Sequence, residues 1–300
     1  MIKKLQEENT DSFEMQFLKT KVDLKQDAAR PETLISIGTH TYKGKQYPND
    51  VMTAGEFSVI SAPSKTRKSF FKSALEACYI GGNAKDYFSN IKSHRNENFD
   101  IISIDTEQSE YYAQRTFRRV PKMTGIDYTN YHPFRLRGLA PTERMAFIDR
   151  LLSSGKIKNP KLMFIDGVAD LIDDTNDLVM SNEAATYLLK WSEDYNMHIC
   201  VIIHNAYGTT KPTGHLGSAV TKKAETVFML SSEDSEDKHS DTIVTPLYTR
   251  GMSFEKFKFN VVDGLPISRN DLEDNYGFED YNKPFESNFD SNEESNDIPF

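Results

Sequence analysis

Apolar and polar residues alternate in blocks along this chain, and the blocks have the lengths of buried strands and of helices. Three runs are almost wholly apolar and rich in β-branched residues, at 100–105, 161–166 and 198–204. Such short continuous runs indicate strands that are buried on both faces. Helical patterns lie between and before them, at 70–80, 113–120, 141–153 and 181–195, the last with Ser181 or Asn182 as its cap. The alternation predicts an α/β fold with a mainly parallel sheet flanked by helices.

Weaker β signals stand at both ends of this pattern. A short β-like segment at 34–38 is followed by turn-rich sequence up to residue 50. Three more β segments are predicted after residue 218, at 226–230, 242–248 and 254–262, and the acidic residues 231–241 between the first two are predicted to form an exposed loop. We therefore expect a polar N-terminal arm over 1–30, a core over 31–265 and an acidic tail over 266–300.

The charge of the chain is concentrated in that tail. The 300 residues carry a net charge of −9, but residues 271–300 hold ten acidic side chains and one basic one, so residues 1–270 are neutral. Acidity is thus no argument against nucleic-acid binding by the core. The tail has too few apolar residues to offset the entropy cost of ordering, which predicts disorder.

Two features of composition bear on the compartment. Cys78 and Cys200 each lie inside an apolar element and are predicted to be buried thiols of a cytoplasmic protein, without a role in a disulfide or a metal site. No run approaches the length of a transmembrane helix, and the first eight residues lack the apolar core of a signal peptide, so we expect neither a membrane span nor a secretory signal.

The segment between the strand that follows Gly55 and the predicted helix at 70–80 has the layout of a phosphate-binding loop. An apolar strand is followed by a short polar loop, and the loop ends at Lys68-Ser69. In such loops backbone N–H groups and a helix N-terminus surround phosphates, the lysine reaches the β- and γ-phosphates, and the serine hydroxyl binds Mg²⁺. The predicted nucleotide-binding residues are Ala62, Pro63, Ser64, Lys65, Thr66, Arg67, Lys68, Ser69 and Phe70.

The loop departs from the usual G-x-x-x-x-G-K-[ST] pattern at both glycines. Ala62 occupies the first glycine position and Arg67 the second. Glycine normally supplies backbone freedom at these positions, so an ordinary strand–turn–helix remains an alternative for the loop taken alone.

Each of the three buried strands ends near a side chain suited to phosphate chemistry. Glu107 follows the first strand and could polarise a water molecule, Asp166 ends the second and could order the Mg²⁺ ligands, and His204 ends the third and could sense the γ-phosphate. Because ligands bind beyond the carboxyl ends of parallel strands, we expect these side chains to converge with Lys68 and Ser69. Taken singly, the acids could be a helix cap and a solvated loop residue, and His204 a loop histidine.

In this order the motifs resemble a RecA-fold P-loop ATPase of the RepA/DnaB-like type that plasmids, phages and other mobile elements carry. Asp105-Thr106-Glu107 resembles the D-x-E segment that holds the catalytic base, and Leu162–Asp166 resembles the second nucleotide motif. The resemblance covers residues 55–262 and implies ATP and Mg²⁺ as cofactors, with Lys68, Glu107 and His204 as catalytic residues and Ser69 and Asp166 as metal ligands.

Later segments extend the resemblance to DNA and to a ring. Residues 214–227 resemble the segment after the DNA-facing loop of RepA-like helicases, and Thr249-Arg250-Gly251 resembles the place where such hexamers supply an arginine finger to the neighbouring subunit. The resemblance implies single-stranded DNA as a partner and Arg250 as a catalytic residue acting in trans. The DNA contacts it suggests are Tyr207, Lys211, His215, Lys222 and Lys223, although a loop of this composition is commonly only a connection.

The last residues of the chain, Asp297-Ile298-Pro299-Phe300, resemble the C-terminal tip of bacterial single-stranded-DNA-binding proteins. In that family the terminal phenylalanine and its carboxylate dock on replication and repair partners, a mode of capture that suits a mobile apolar anchor. The alternative is a plain solubilising tail.

Three functions follow as hypotheses. The first is a helicase-like or loader-like ATPase of DNA replication or recombination in the cytoplasm of a bacterial host. It would form a ring, and the resemblance implies a hexamer. The second is a non-hydrolysing single-stranded-DNA-binding or annealing protein on a degenerate RecA-like scaffold, which the missing glycines favour. The third, a small-molecule phosphotransferase, is weaker because nothing resembles a lid for a second substrate.

Overall fold

The computed structural model describes residues 13–18, 20–95, 99–206, 209, 211–234, 236–237 and 239–270. The chain divides into two compact units, Met1–Pro31 and Glu32–Phe300. In the first unit residues 13–18 are helical, and their apolar side chains are largely exposed. The predicted tip at 297–300 lies outside the described residues. None of the helices within the described residues has the length and apolar character needed to cross a membrane.

Two sheets form the framework of the second unit. The described strands are β1 (Thr33–Tyr42), β2 (Lys45–Thr53), β3 (Phe57–Ala62), β4 (Ile91–Ser93), β5 (Asp100–Asp105), β6 (Tyr131–Arg135), β7 (Pro160–Asp166), β8 (His198–His204), β9 (Thr226–Ser232), β10 (Thr242–Thr249), β11 (Phe257–Val262) and β12 (Leu265–Ser268). Over the described residues the large sheet has nine strands in the order β12-β11-β10-β9-β3-β8-β7-β5-β6, and the small sheet has the order β2-β1-β4. The strands from β9 to β6 are parallel, and β10 to β12 add antiparallel pairs at one edge.

Helices cover both faces of the large sheet. They are α1 (Lys68–Ile80), α2 (Glu110–Phe117), α3 (Arg119–Thr124), α4 (Pro141–Ser153), α5 (Leu178–Asp194) and α6 (Gly214–Lys223). Alternate residues of each central strand face opposite cores: Ile101 packs in the core that includes α1, and Ile102 packs in the core that includes α4 and α5. Both faces are covered, so every residue of β5 and all of β8 before His204 are buried, which confirms the predicted α/β fold.

The register of the parallel strands brings the predicted strand-end residues to one edge. Ala62 at the end of β3 pairs with His204 at the end of β8. Asp105 at the end of β5 pairs with Asp166 at the end of β7. This common carboxyl edge is where a ligand site is expected in an open parallel sheet.

Several predicted elements were displaced. The helix predicted at 181–195 begins three residues earlier, at Leu178. The predicted caps Ser181 and Asn182 were wrong. Asp177 is the N-cap, because its carboxylate accepts the N–H of Met180 at 2.8 Å. The helix predicted at 113–120 is two helices, α2 and α3.

Two further sequence predictions have clear outcomes. The turn-rich segment predicted up to residue 50 is mostly strand, since β1 and β2 form a hairpin that turns at Lys43 and Gly44, both with positive φ. Cys78 and Cys200 are both buried, as predicted.

Candidate active site

The loop from β3 to α1 adopts its shape without either of the usual glycines. Ala62 is still part of β3, in ordinary strand conformation, so its position makes no demand for glycine. Arg67, the N-cap residue of α1, has φ 56° and ψ 29°. This left-handed region is the one that favours glycine. The second glycine position therefore keeps its conformation with an arginine in it.

The N-terminus of α1 is open toward this loop. The N–H groups of Lys68 and Ser69 belong to the first helical turn and have no acceptor inside the helix. No side chain among the described residues caps them, and the first turn contains no acidic residue. The hydroxyl of Thr66 closes the loop by donating to the carbonyl of Pro63 at 2.9 Å. Such an uncapped helix end with free N–H groups suits an anion.

The ammonium group of Lys68 lies inside the loop. It donates to the carbonyl of Pro63 at 2.9 Å and stands 2.9 Å from Nδ1 of His204. Its burial lowers the pKa of Lys68, and the charges of Asp166 and Glu107 oppose that shift. The side chain thus holds a positive charge where phosphates are expected.

Ser69 and Asp166 meet at the centre of the sheet edge. The hydroxyl of Ser69 donates to Oδ2 of Asp166 at 2.7 Å. Burial raises the pKa of Asp166 to about 6, against the opposing effects of Lys72 and of the Ser69 hydrogen bond. A carboxylate beside a hydroxyl oxygen provides the hard oxygen ligands that Mg²⁺ prefers, so these two residues fit the ion.

Glu107 and His204 face each other across the opening of the site. Oε1 of Glu107 lies 3.6 Å from Nε2 of His204, and both side chains are close to half exposed. Hydrogen bonding with His204 is the main cause that lowers the pKa of Glu107, and Lys68 contributes. Glu107 is therefore an ionised carboxylate at neutral pH with access to water. Gly167 leaves room for it, since a Cβ there would lie 3.0 Å from Oε1.

All of these groups surround one cleft of about 360 Å³. Its lining combines loop residues with the ends of three strands: Lys65, Thr66, Arg67, Lys68, Ser69, Phe70, Glu107, Gln108, Thr116, Arg119, Asp166 and His204. The convergence that the sequence predicted from chain order is present in space. The chemical roles of these residues remain predictions.

Thr106 is a residue of this site that the sequence analysis left without a role. Its hydroxyl lies 2.7 Å from Oδ2 of Asp170 and 3.1 Å from the carbonyl of Asp166, and it accepts the N–H of Gly167 at 2.8 Å. It thereby ties the end of β5 to the end of β7. In the sequence, only its position between Asp105 and Glu107 indicated that Thr106 lies near the cleft.

Arg119 is a second such residue. Its guanidinium lies 3.6 Å from the ring centroid of Phe70, and within the described residues its buried Nη1 atom has no hydrogen-bond partner. Burial lowers the pKa of Arg119 to about 10. The group of arginines at 115, 118 and 119 was visible in sequence, but nothing there indicated which of them faces the cleft.

Arg250 lies at the opposite edge of the sheet from its own cleft. It follows Thr249, which pairs with Thr226 at the start of β9, so it stands at the amino ends of the parallel strands. Its guanidinium is paired with Glu56. Within one subunit, therefore, Arg250 is not part of the cleft.

The predicted DNA contacts are spread along α6. Tyr207 is outside the described residues. Lys211 is exposed on the loop after β8, His215 is exposed in the first turn of α6, and Lys222 and Lys223 stand in its last turn. Ten helical residues span about 15 Å. Lys211 and Lys222 line, together with Arg250, a separate cleft of about 700 Å³.

Comparison with known proteins supports the fold. No protein-family model and no curated protein sequence matches the chain. Among the solved structures that match is the crystal structure of the RadB recombinase, with a TM-score of 0.50 and 12% sequence identity over 72% of this chain and 91% of that chain. This similarity confirms the predicted RecA-like α/β fold. At 12% identity it establishes the fold alone.

Proposed function

We propose that the chain binds ATP and Mg²⁺ in the cleft at the carboxyl edge of its sheet and hydrolyses the γ-phosphate. The observation that carries this proposal is the meeting of Lys68, Ser69, Glu107, Asp166 and His204 around one cleft at the N-terminus of α1. A structural turn has no need of a buried lysine, a buried carboxylate and an exposed, ionised carboxylate around the same cleft.

Each residue has a role that its environment supports. The loop N–H groups and Lys68 bind the phosphates, and Ser69 and Asp166 hold Mg²⁺. Mg²⁺ bound there supplies electrostatic stabilisation to the phosphate oxygens. Glu107 accepts the proton of the attacking water, and His204, which contacts both Lys68 and Glu107, reports the state of the γ-phosphate to the loop after β8.

We further propose that the protein works on single-stranded DNA in replication or recombination, as a ring-forming helicase-like or loader-like ATPase. Arg250 stands at the edge opposite the cleft of its own subunit, so it can serve only the cleft of a neighbouring copy. The comparison structure is that of a recombinase, and Lys211 and Lys222 line the cleft that also contains Arg250. Docking of a partner by Asp297, Ile298, Pro299 and Phe300 belongs to the same proposal.

The test is ATP hydrolysis by the purified chain with and without single-stranded DNA. We expect turnover that DNA stimulates and that Lys68→Ala reduces by about 100-fold or more, because the variant removes the ammonium group that lies inside the loop. Lys158→Ala, which changes an exposed lysine before β7, serves as the matched control. Undiminished turnover in Lys68→Ala would refute the site assignment.

A second candidate function is DNA binding without hydrolysis, and the left-handed arginine in the loop favours it. Glycine is the residue that normally occupies this position of a hydrolysing phosphate-binding loop, and Arg67 departs from that pattern. DNA binding that is independent of nucleotide, in a chain without turnover, would establish this function in place of the first.

A further inference from the structure

The side chain of Arg67 is bound by residues far from the loop. Its Nη1 atom donates to the carbonyl of Ser240 at 2.8 Å and to Oδ1 of Asn260 at 3.1 Å. Ser240 precedes β10 in the acidic loop 231–241, and Asn260 lies in β11. The arginine that replaces the glycine therefore links the loop before α1 to the antiparallel edge of the sheet.

The acceptors are themselves held in place. The amide of Asn260 donates to the carbonyl of His239 at 2.9 Å and to Oδ1 of Asp241 at 2.8 Å. Asp241 is buried, and its other carboxylate oxygen lies 3.4 Å from Nε of Arg269. Charge, burial and hydrogen bonds thus fix the orientation of the carbonyl and the amide that receive Arg67. We call Ser240, Asp241 and Asn260 the anchor.

The backbone of Arg67 controls the start of α1. Its carbonyl accepts the N–H groups of Phe70 at 3.0 Å and of Phe71 at 3.2 Å. The direction of this carbonyl depends on the φ and ψ of residue 67, and Lys68 and Ser69 lie inside the turn that it closes. A change in the conformation of residue 67 therefore moves the two residues that face the phosphates and Mg²⁺.

We propose that Arg67 is a positioning residue, whose guanidinium, held by the anchor, keeps residues 63–69 in the conformation that binds nucleotide phosphates. A glycine would reach this conformation without help, whereas an arginine needs its side chain fixed elsewhere. The anchor therefore acts on the cleft, although the residues that line the cleft come from other segments. This inference rests on nucleotide binding at the loop, as proposed above.

The first test is Asn260→Ala, which removes an acceptor and leaves residue 67 unchanged. We expect a fluorescent ATP analogue with Mg²⁺ to bind about 5- to 50-fold more weakly, and the amides of residues 64–71 to exchange faster with deuterium in the absence of nucleotide. Asn182→Ala, at an exposed position of α5, is the matched control. Exchange in β5 shows that the core remains folded. Affinity and exchange equal to those of the wild type would overturn the proposal.

A double-mutant cycle separates the anchor from the backbone angle. Arg67→Gly frees residue 67 from strain and also removes the guanidinium, so adding Asn260→Ala to it should change neither affinity nor exchange further. If the two substitutions are additive, Asn260 acts on the loop by another route and the proposal fails.

The exchange measurement also distinguishes this inference from the proposed function. If the wild-type chain binds no nucleotide, the proposed function fails. Faster exchange at 64–71 in Asn260→Ala then still demonstrates that the anchor orders the loop, and unchanged exchange refutes it.

Discussion

At the scale of single residues, the pair of Glu107 and His204 sets the chemistry of the cleft. The interaction with His204, whose Nε2 lies 3.6 Å away, and the charge of Lys68 lower the pKa of this carboxylate, and it is exposed enough to meet a water molecule. Asp166 is also mostly ionised at neutral pH, with a pKa of about 6, but it is buried and already accepts the hydroxyl of Ser69. The two acids of the site therefore have different environments and suit different roles.

This difference leads to a prediction for Glu107→Gln. We expect turnover to fall by about 100-fold or more, the range typical of a lost general base, while the affinity for a fluorescent ATP analogue stays within about threefold of the wild type. Glu110→Gln, three residues further on and exposed, should retain full turnover. Loss of nucleotide binding in Glu107→Gln would indicate a structural role for the carboxylate.

At the scale of elements, a buried ionic network holds α1 against the sheet. Nζ of Lys72 donates to Oε1 of Glu76 at 3.0 Å and to the hydroxyl of Ser103 in β5 at 2.7 Å. The hydroxyl of Tyr131 in β6 donates to the other oxygen of Glu76 at 3.2 Å. Lys68 and Ser69 belong to α1, so this network fixes their position relative to the carboxyl ends of the strands.

We predict that Lys72→Met destabilises the fold by about 3–5 kcal/mol, because it leaves the carboxylate of Glu76 buried without a countercharge. Urea unfolding measures the change. Adding Glu76→Gln should recover a large part of it, since glutamine is neutral and still accepts from Ser103 and Tyr131. Lys158→Met is the exposed control. A loss below 1 kcal/mol in Lys72→Met would show that Glu76 does not need its partner.

Elements with strong local signals were predictable from sequence. The bounds of 100–105, 198–204 and 141–153 agree with β5, β8 and α4, because polar residues bound the β-branched core of each strand and proline occupies the first position of the helix. The edge strand β6 was missed, since Pro133 lies inside it and proline argues against a strand except at a sheet edge.

The cleft was predictable only in part, and for a physical reason. Strand ends converge by topology, so Glu107, Asp166 and His204 could be placed from chain order. The contacts of Arg67 depend on a backbone carbonyl 173 residues later and on an amide side chain 193 residues later in the chain, and no local pattern indicates them. Long-range polar contacts of this kind are decided by tertiary packing alone.

At the scale of the whole molecule, buried polar contacts join the two sheets of the second unit. Nδ1 of His198 in β8 lies 2.9 Å from the carbonyl of Thr53 in β2, and its Nε2 lies 2.9 Å from the hydroxyl of Ser58 in β3. Glu225 accepts the N–H and the hydroxyl of Thr53 at 3.0 and 2.7 Å. Thr53 is thus the point where the small sheet is fastened to the large one.

This junction predicts acid sensitivity. Burial lowers the pKa of His198 to about 4, against the weaker effects of Thr53 and Glu56, while the unfolded chain binds the proton near the ordinary value of 6.5. The burial of His198 therefore has no cost above pH 6.5, where the imidazole is neutral in both states. As the pH falls toward 4 only the unfolded chain binds the proton, so the free energy of unfolding decreases by about 3 kcal/mol in total.

The measurement is urea unfolding at several pH values for the wild type and His198→Asn, whose amide keeps a donor toward Thr53. The difference between the two should shrink by about 3 kcal/mol from pH 7 to pH 4. Asp166, whose raised pKa acts in the opposite direction, is common to both proteins and cancels. The exposed His215→Asn should show no such change, and a pH-independent difference for His198→Asn would refute the assignment.

The left-handed backbone at residue 67 has a consequence for how such a loop could have arisen. A glycine there places no requirement on position 260, so the two sites can drift separately. An arginine there ties them together across most of the chain, since its conformation is held by an amide on a distant strand. The order of substitution is then restricted: the amide has to be in place before the glycine is lost, and once the arginine is established the amide can no longer be exchanged without opening the loop.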